Sequence, residues 1–146
     1  DGMSSIFKKV VILIIAAETF ANGLITLGFI DNIVALSKYF EAHTVGLILT
    51  IIIFITSTLM GSGNAAFFAF GPLIPKIANK LDIDAPSLLV QMNFSANLGR
   101  TISPISGILI ALSEISGVEI NQIVKRNLIP ISASLIFMLF ISALTL

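Results

Sequence analysis

From Ala42 to Pro75, 34 consecutive positions carry no Asp, Glu, Lys or Arg. The last 20 positions, Asn127 to Leu146, carry none either. A helix needs roughly 20 mostly apolar residues to cross a bilayer. A water-facing surface cannot be built from such stretches. Of the 146 residues, 56% are hydrophobic and 11% charged, against roughly 25% charged in an average soluble domain. The expected class is an all-α, polytopic membrane protein.

Other classes fall to simple counts. There is no cysteine, so no disulfide or thiolate metal site can form. There is one histidine. Zero net charge and scattered basic residues exclude a nucleic-acid binder. No nucleophile, base or metal cage suggests an enzyme. The sequence starts at Asp1, Met3 is its first methionine, and no secretory signal is visible. A C-terminal piece of a longer protein is expected.

The chain reads as one transmembrane unit. A span runs over residues 6–30, with Lys8 and Lys9 at its start and Glu18 as an intruder. Residues 31–41 suggest a short amphipathic helix lying in the membrane interface. Residues 44–80 read as a re-entrant hairpin whose tip is Gly61, Ser62, Gly63 and Asn64. Its second limb, Ala65 to Ile74, covers only about 18 Å at 1.5 Å per residue, short of the bilayer's apolar thickness of about 30 Å. Lys76 to Asp84 reads as polar loop. Asp84 or Ala85 caps the next helix, with Pro86 in its first turn. That helix should run to about Leu98. Gly99, Arg100, Ser103, Pro104 and Gly107 then interrupt it, so residues 86–117 form one span broken at its middle. Residues 128–146 form a plain final span. Lys8, Lys9, Lys125 and Arg126 on one side outnumber Lys38, Lys76 and Lys80 on the other, which favours a cytoplasmic start.

Irregular backbone at membrane depth is tolerated only inside protein or along a water-filled cavity. Interrupted apolar segments point to a transporter's binding site. At the tip, the helix that follows offers free N–H groups to an anion, and the helix that precedes it offers carbonyls to a cation. The second break repeats this arrangement, with Asn97, Thr101, Ser103 and Ser106 adding side-chain partners. Arg100 is a charge at membrane depth, where it needs a cavity or a partner. Its planar fork suits a carboxylate; an ion pair with Glu18 is the structural alternative. Glu18, Asn22 and Thr26 share one helix face. Glu18 serves either as a proton or cation relay or as a buried counter-ion. His43 reads as a solvated loop residue. Asn93-Phe94-Ser95 matches a glycosylation acceptor but lies within a membrane helix.

The string GSGNAAFFAFGPLIPKIA, Gly61 to Ala78, together with NLGRTISPISG, Asn97 to Gly107, resembles the C-terminal part of anaerobic C4-dicarboxylate carriers of the DcuC type. VKRNLIP, Val124 to Pro130, fits as well. The resemblance covers most of the chain and is weakest in the first 40 residues. It implies membership of the ion transporter superfamily, whose members combine two inverted repeats and work by an elevator movement. It implies exchange or export of dicarboxylates such as succinate and fumarate across the bacterial inner membrane. By motif, Ser62, Gly63 and Asn64 form one hairpin tip of the substrate site. Asn97, Arg100, Thr101 and Ser103 form the unwound helix facing it. Glu18 and Asn22 are candidates for coupling to Na+ or H+, with no other cofactor. The family's members are much longer, so a missing N-terminal repeat or a homodimer partner is expected. A cation/proton antiporter or another organic-anion carrier of the same superfamily is the alternative. A truncated, non-transporting membrane segment is the second.

Overall fold

The computed structural model describes residues 2–145. Side chains of residues 2–6, 8–10, 13, 144 and 145 lie outside the described set, so the expectations resting on Lys8, Lys9 and Leu146 fall outside it.

The described residues form eight α-helices: α1 (Gly2–Thr26), α2 (Phe29–Ala35), α3 (Ala42–Met60), α4 (Gly63–Phe70), α5 (Ile74–Leu81), α6 (Ala85–Thr101), α7 (Gly107–Ser116) and α8 (Ile120–Thr145). Short 3-10 turns follow α2 at Leu36–Lys38 and α4 at Gly71–Leu73. No strand occurs among the described residues. The protein is an all-α membrane protein. Among the described residues, two helices are long and apolar enough to cross a membrane, α3 and Ile120–Ala143 of α8. The bent pair formed by α1 and α2 makes a third span if counted as one.

The centre of the fold is the pair α3 and α6. Gly46 sits beside Leu88, Thr50 beside Ser95 and Thr58 beside Gly99. Residue numbers rise together along both helices, so the two run parallel and end at the same height. Val45, Leu49 and Ile53 of α3 are fully buried with Leu88, Met92 and Ala96 of α6. In lipid, tails are as apolar as leucine, so helix association rests on close packing and interhelical hydrogen bonds. This pair uses both. The Ser95 hydroxyl donates to the Thr50 carbonyl at 2.8 Å, the Ser57 hydroxyl to the Ala96 carbonyl, and the Thr58 hydroxyl to the Gly99 carbonyl at 3.1 Å.

From the tip the chain returns along α4 and α5. Helix α1 runs beside them. Ala16 and Ala17 lie at the height of Met60 and Ala65, and Phe20 meets Phe70 edge-on with centroids 6.2 Å apart. The tip thus sits beside the middle of α1. At Gly28, in the left-handed region (φ 75°), the chain bends by 59° into α2. Helix α2 rests on α5, where Lys80 pairs with Asp31 at 2.7 Å. Helix α8 descends past α7, with Ile123 and Arg126 near Leu112 and Ser116, and reaches the start of α6 with Met138 and Ser142 near Pro86.

Several expectations change here. Lys76 to Asp84 is not a polar loop. Helix α5 extends to Leu81, because Ile74, Ile77, Ala78 and Leu81 recur at helical spacing and are all buried. Pro75 sits in the first turn of α5, where its missing N–H costs nothing. The surface helix starts at Phe29 rather than Asp31. The last helix starts at Ile120 and continues through Pro130. His43 belongs to the first turn of α3 rather than to a loop, and is exposed. Asp84 caps α6, its carboxylate accepting from the Ser87 N–H at 2.9 Å.

Candidate functional site

The hairpin tip and the helix break meet. Gly61 takes a left-handed conformation (φ 68°) that ends α3. A Cβ built there would lie 3.0 Å from the backbone of Ile105, in the break. Gly63 opens α4, and a Cβ built on it would lie 2.8 Å from the Ala96 carbonyl oxygen and 3.2 Å from Arg100 Cδ. Only glycine permits these approaches. Between the two glycines Ser62 is extended, and its hydroxyl caps α4 by accepting from the Ala65 N–H at 3.2 Å. The N–H groups of Gly63 and Asn64 remain outside the helical ladder, as in any first turn.

The break is shorter and later than the sequence suggests. Helix α6 continues to Thr101, so Asn97, Arg100 and Thr101 lie on its last two turns rather than in an unwound stretch. The irregular backbone is residues 102–106. It turns through bonds from the Ile102 N–H to the Gly99 carbonyl (3.3 Å) and from the Ser103 N–H to the Arg100 carbonyl (3.3 Å). The helix gains its extra turn because Thr101 donates to the Leu98 carbonyl at 2.6 Å and Thr58 reaches across to the Gly99 carbonyl. The carbonyls of Leu98, Gly99 and Arg100 therefore already accept hydrogen bonds. At the tip, the Ser57 carbonyl accepts from Gly61, and α3 ends with Thr58, Leu59 and Met60 carbonyls beyond its ladder.

Arg100 is half-buried beside Gly63. Among the described residues its guanidinium forms no ion pair and no hydrogen bond; Lys80–Asp31 is the one ion pair found there. Glu18 does not pair with it. Glu18 and Asn22 are exposed, whereas Ala21 between them is buried. Glu18 is thus not a buried counter-ion. Ser103 is fully buried at the break, and its hydroxyl has no partner among the described residues. Asn64 is exposed at the tip.

The structure brings Ser62, Gly63, Arg100 and Ser103 into one region, with Asn64 at its edge. Asn97 lies one turn before Arg100 and donates to Asn93, to its carbonyl at 2.9 Å and its side-chain oxygen at 3.1 Å. Thr101 points back along its own helix. Sequence reasoning set Asn93 aside as a spurious glycosylation match. With Asn97 and Arg100 it forms an i, i+4, i+7 polar stripe on α6. That spacing was the signal available. It also missed Ser57 and Thr58, and it read Gly99 as a breaker; together these three residues hold the end of α6 in place.

The model of the C4-dicarboxylate anaerobic carrier family, DcuC, matches residues 1–146. The chain belongs to the DcuC family. It is 36% identical over 140 residues to the anaerobic C4-dicarboxylate transporter DcuC of Escherichia coli K12, covering 94% of this chain and 30% of that protein. A Vibrio cholerae protein of the same DcuC name is 38% identical over 138 residues, covering 93% of this chain and 30% of its own length. No solved structure matches the chain. The chain thus spans about a third of the length of the DcuC relatives it matches. DcuC is a family of carriers, not of enzymes.

Proposed function

We propose that the chain supplies one half of a substrate site in a secondary transporter that moves C4-dicarboxylates, succinate and fumarate among them, across the bacterial inner membrane. The observation that carries this reading is the unpaired Arg100 guanidinium beside the Gly-rich tip. A charge at membrane depth without a counter-ion is costly; a carboxylate cargo supplies the missing charge and fits the guanidinium fork. The second carboxylate meets the free N–H groups at the starts of α4 and α7. Ser62, Asn64 and Ser103 complete the hydrogen bonding. The stripe of Asn93 and Asn97 lies on the same face of α6 as Arg100 and extends the polar surface offered to the cargo.

The hairpin is re-entrant in this reading. Its tip sits beside the middle of α1, while α7 and the first half of α8 continue past the break. The unit moves as one body in an elevator-like step, since hydroxyl bonds and glycine contacts tie α3, α4 and α6 together. A second unit, either another repeat or another copy, faces the tip. Coupling to Na+ or H+ uses the last carbonyls of α3 or Glu18 with Asn22 on the outer face of α1.

The test is [14C]succinate exchange by the intact carrier in proteoliposomes. Arg100→Ala should abolish it, and Arg100→Lys should restore little. Undiminished exchange by Arg100→Ala would remove the carboxylate reading and favour a cation exchanger, which has no use for a positive charge at its site.

A further inference from the structure

Glu18 is a carboxylate on the outer surface of α1, at membrane depth. It lies nine residues after Lys9 and eight before Thr26, where α1 ends. At 1.5 Å per residue those distances are about 14 Å and about 12 Å along the axis. Its height is close to that of the hairpin tip, which sits beside Ala16 and Ala17. Ile15, Glu18, Thr19, Asn22, Gly23 and Thr26 are all exposed. They recur at spacings of three and four, so they share one stripe. Among the described residues the Glu18 and Asn22 side chains have no hydrogen-bond or ion-pair partner. Lipid does not suit this stripe, because acidic side chains within spans face protein or a water-filled cavity and pair there.

Gly23 chooses between protein and water. A glycine inside a helix weakens it relative to alanine, and nothing in this unit comes within 4 Å of a Cβ built there. Water gives no reason for a glycine; a helix packed closely against α1 does. Thr19 and Gly23 have the four-residue spacing of small residues through which membrane helices approach. The Thr19 hydroxyl already turns to its own helix, donating to the Ile15 carbonyl at 2.8 Å, and so leaves room for a neighbour.

We propose that this stripe of α1 packs against a transmembrane helix from the part of the carrier outside these 146 residues. That helix carries a hydrogen-bond donor, such as a Lys, Arg or Asn side chain, at the depth of Glu18. The chain matches 30% of the length of the Escherichia coli relative, so carriers of this family hold further chain that can supply it. A second copy of α1 lacks the required chemistry. A twofold pair sets the same face against itself, and the stripe has no basic residue, so carboxylate would meet carboxylate. Glu18 then joins helices, which leaves the last carbonyls of α3 as the coupling route. This interface rests on membrane embedding and not on the dicarboxylate reading.

Two measurements on the intact carrier test it. The first places p-benzoylphenylalanine at Ile15, which is 60% exposed and whose replacement removes no polar group, and irradiates native membranes. The expected adduct runs at the mass of a single carrier and maps to a peptide outside this segment. An adduct to lipid, to this segment itself or to a second copy, or no adduct, would overturn the proposal. The second compares thermal midpoints of Glu18→Leu and Gly23→Leu with the parent, and here the sign decides. On a surface facing lipid both changes stabilise, one by removing a carboxylate and the other by removing a weak helix former. Against a packed helix both should lower the midpoint by about 2 °C or more, and Glu18→Gln, which keeps an acceptor, should lose less than Glu18→Leu. A midpoint at or above the parent's for either leucine variant would also overturn it.

Discussion

Gly99 of α6 lies so close to Phe54 of α3 that a Cβ on Gly99 would stand 2.4 Å from the Phe54 carbonyl oxygen. The obstacle is backbone, not a flexible side chain, so the helices must separate to admit a methyl group. Gly99→Ala should therefore destabilise the carrier by about 1–3 kcal/mol, the usual range for overpacking. Gly107, with nothing within 4 Å of a built Cβ, is the control. Thermal midpoints of Gly99→Ala and Gly107→Ala in the same detergent check this; equal midpoints would mean that the helix pair is looser than described.

Arg100 should separate charge from geometry. A hydrogen bond to a charged group contributes about 1.5–3 kcal/mol, or about ten- to hundredfold in an equilibrium constant. Arg100→Lys keeps the charge and loses the fork. It should raise the apparent KM for succinate by about tenfold or more, while a monocarboxylate competitor changes less. Competition curves in proteoliposomes give both values.

Ser57→Ala should cost little. The Ala96 carbonyl that Ser57 reaches also serves the α6 ladder, so its loss leaves no orphan acceptor. Interhelical hydrogen bonds in a membrane protein average about 0.6 kcal/mol and reach about 1.7 kcal/mol. Ser57→Leu should cost more, because position 57 is fully buried at the crossing and a larger side chain must push the helices apart. A comparison of denaturation midpoints for the two variants decides; equal losses would locate the effect in the hydroxyl rather than in the space.

Asp84 makes the start of α6 sensitive to acid. Hydrogen bonds from the Ser87 side chain and then the Ser87 backbone hold the carboxyl below its ordinary value. A carboxyl depressed in the folded state favours folding above its unfolded value. That contribution fades as pH falls through the folded value. Amide exchange at Ser87, corrected for intrinsic rates, should quicken below about pH 4, near the unfolded value of an aspartate. Asp84→Asn should remove that pH dependence. A variant that still shows it would place the titrating group elsewhere.

The membrane class, the tip and the break were legible because each rests on local chemistry. A charge-free run of 34 residues admits few structures. The glycines at 61 and 63 announce a turn without any neighbour. Other features were hidden because packing decides them. The second limb of the hairpin looked like a loop after Lys76, since its exposed face carries Lys76, Asn79 and Lys80. Only the burial of Ile77, Ala78 and Leu81 against the core reveals the helix. The end of α6 was misplaced by three residues because Gly99 reads as a breaker on its own. Across from Phe54, glycine is instead the one residue that lets the helix continue.

The sequence by itself determined that the chain lives in a membrane and where it turns, and it singled out one arginine beside a helix break. Those properties follow from transfer energy and backbone freedom, which act residue by residue. The tertiary structure alone decided that the tip lies against the break, that Arg100 is unpaired among the described residues, and that Glu18 is exposed and does not pair with it. Those are matters of which surfaces meet. Here the parallel approach of α3 and α6 decided that, through glycine contacts and hydroxyl-to-carbonyl bonds between residues about 40 positions apart.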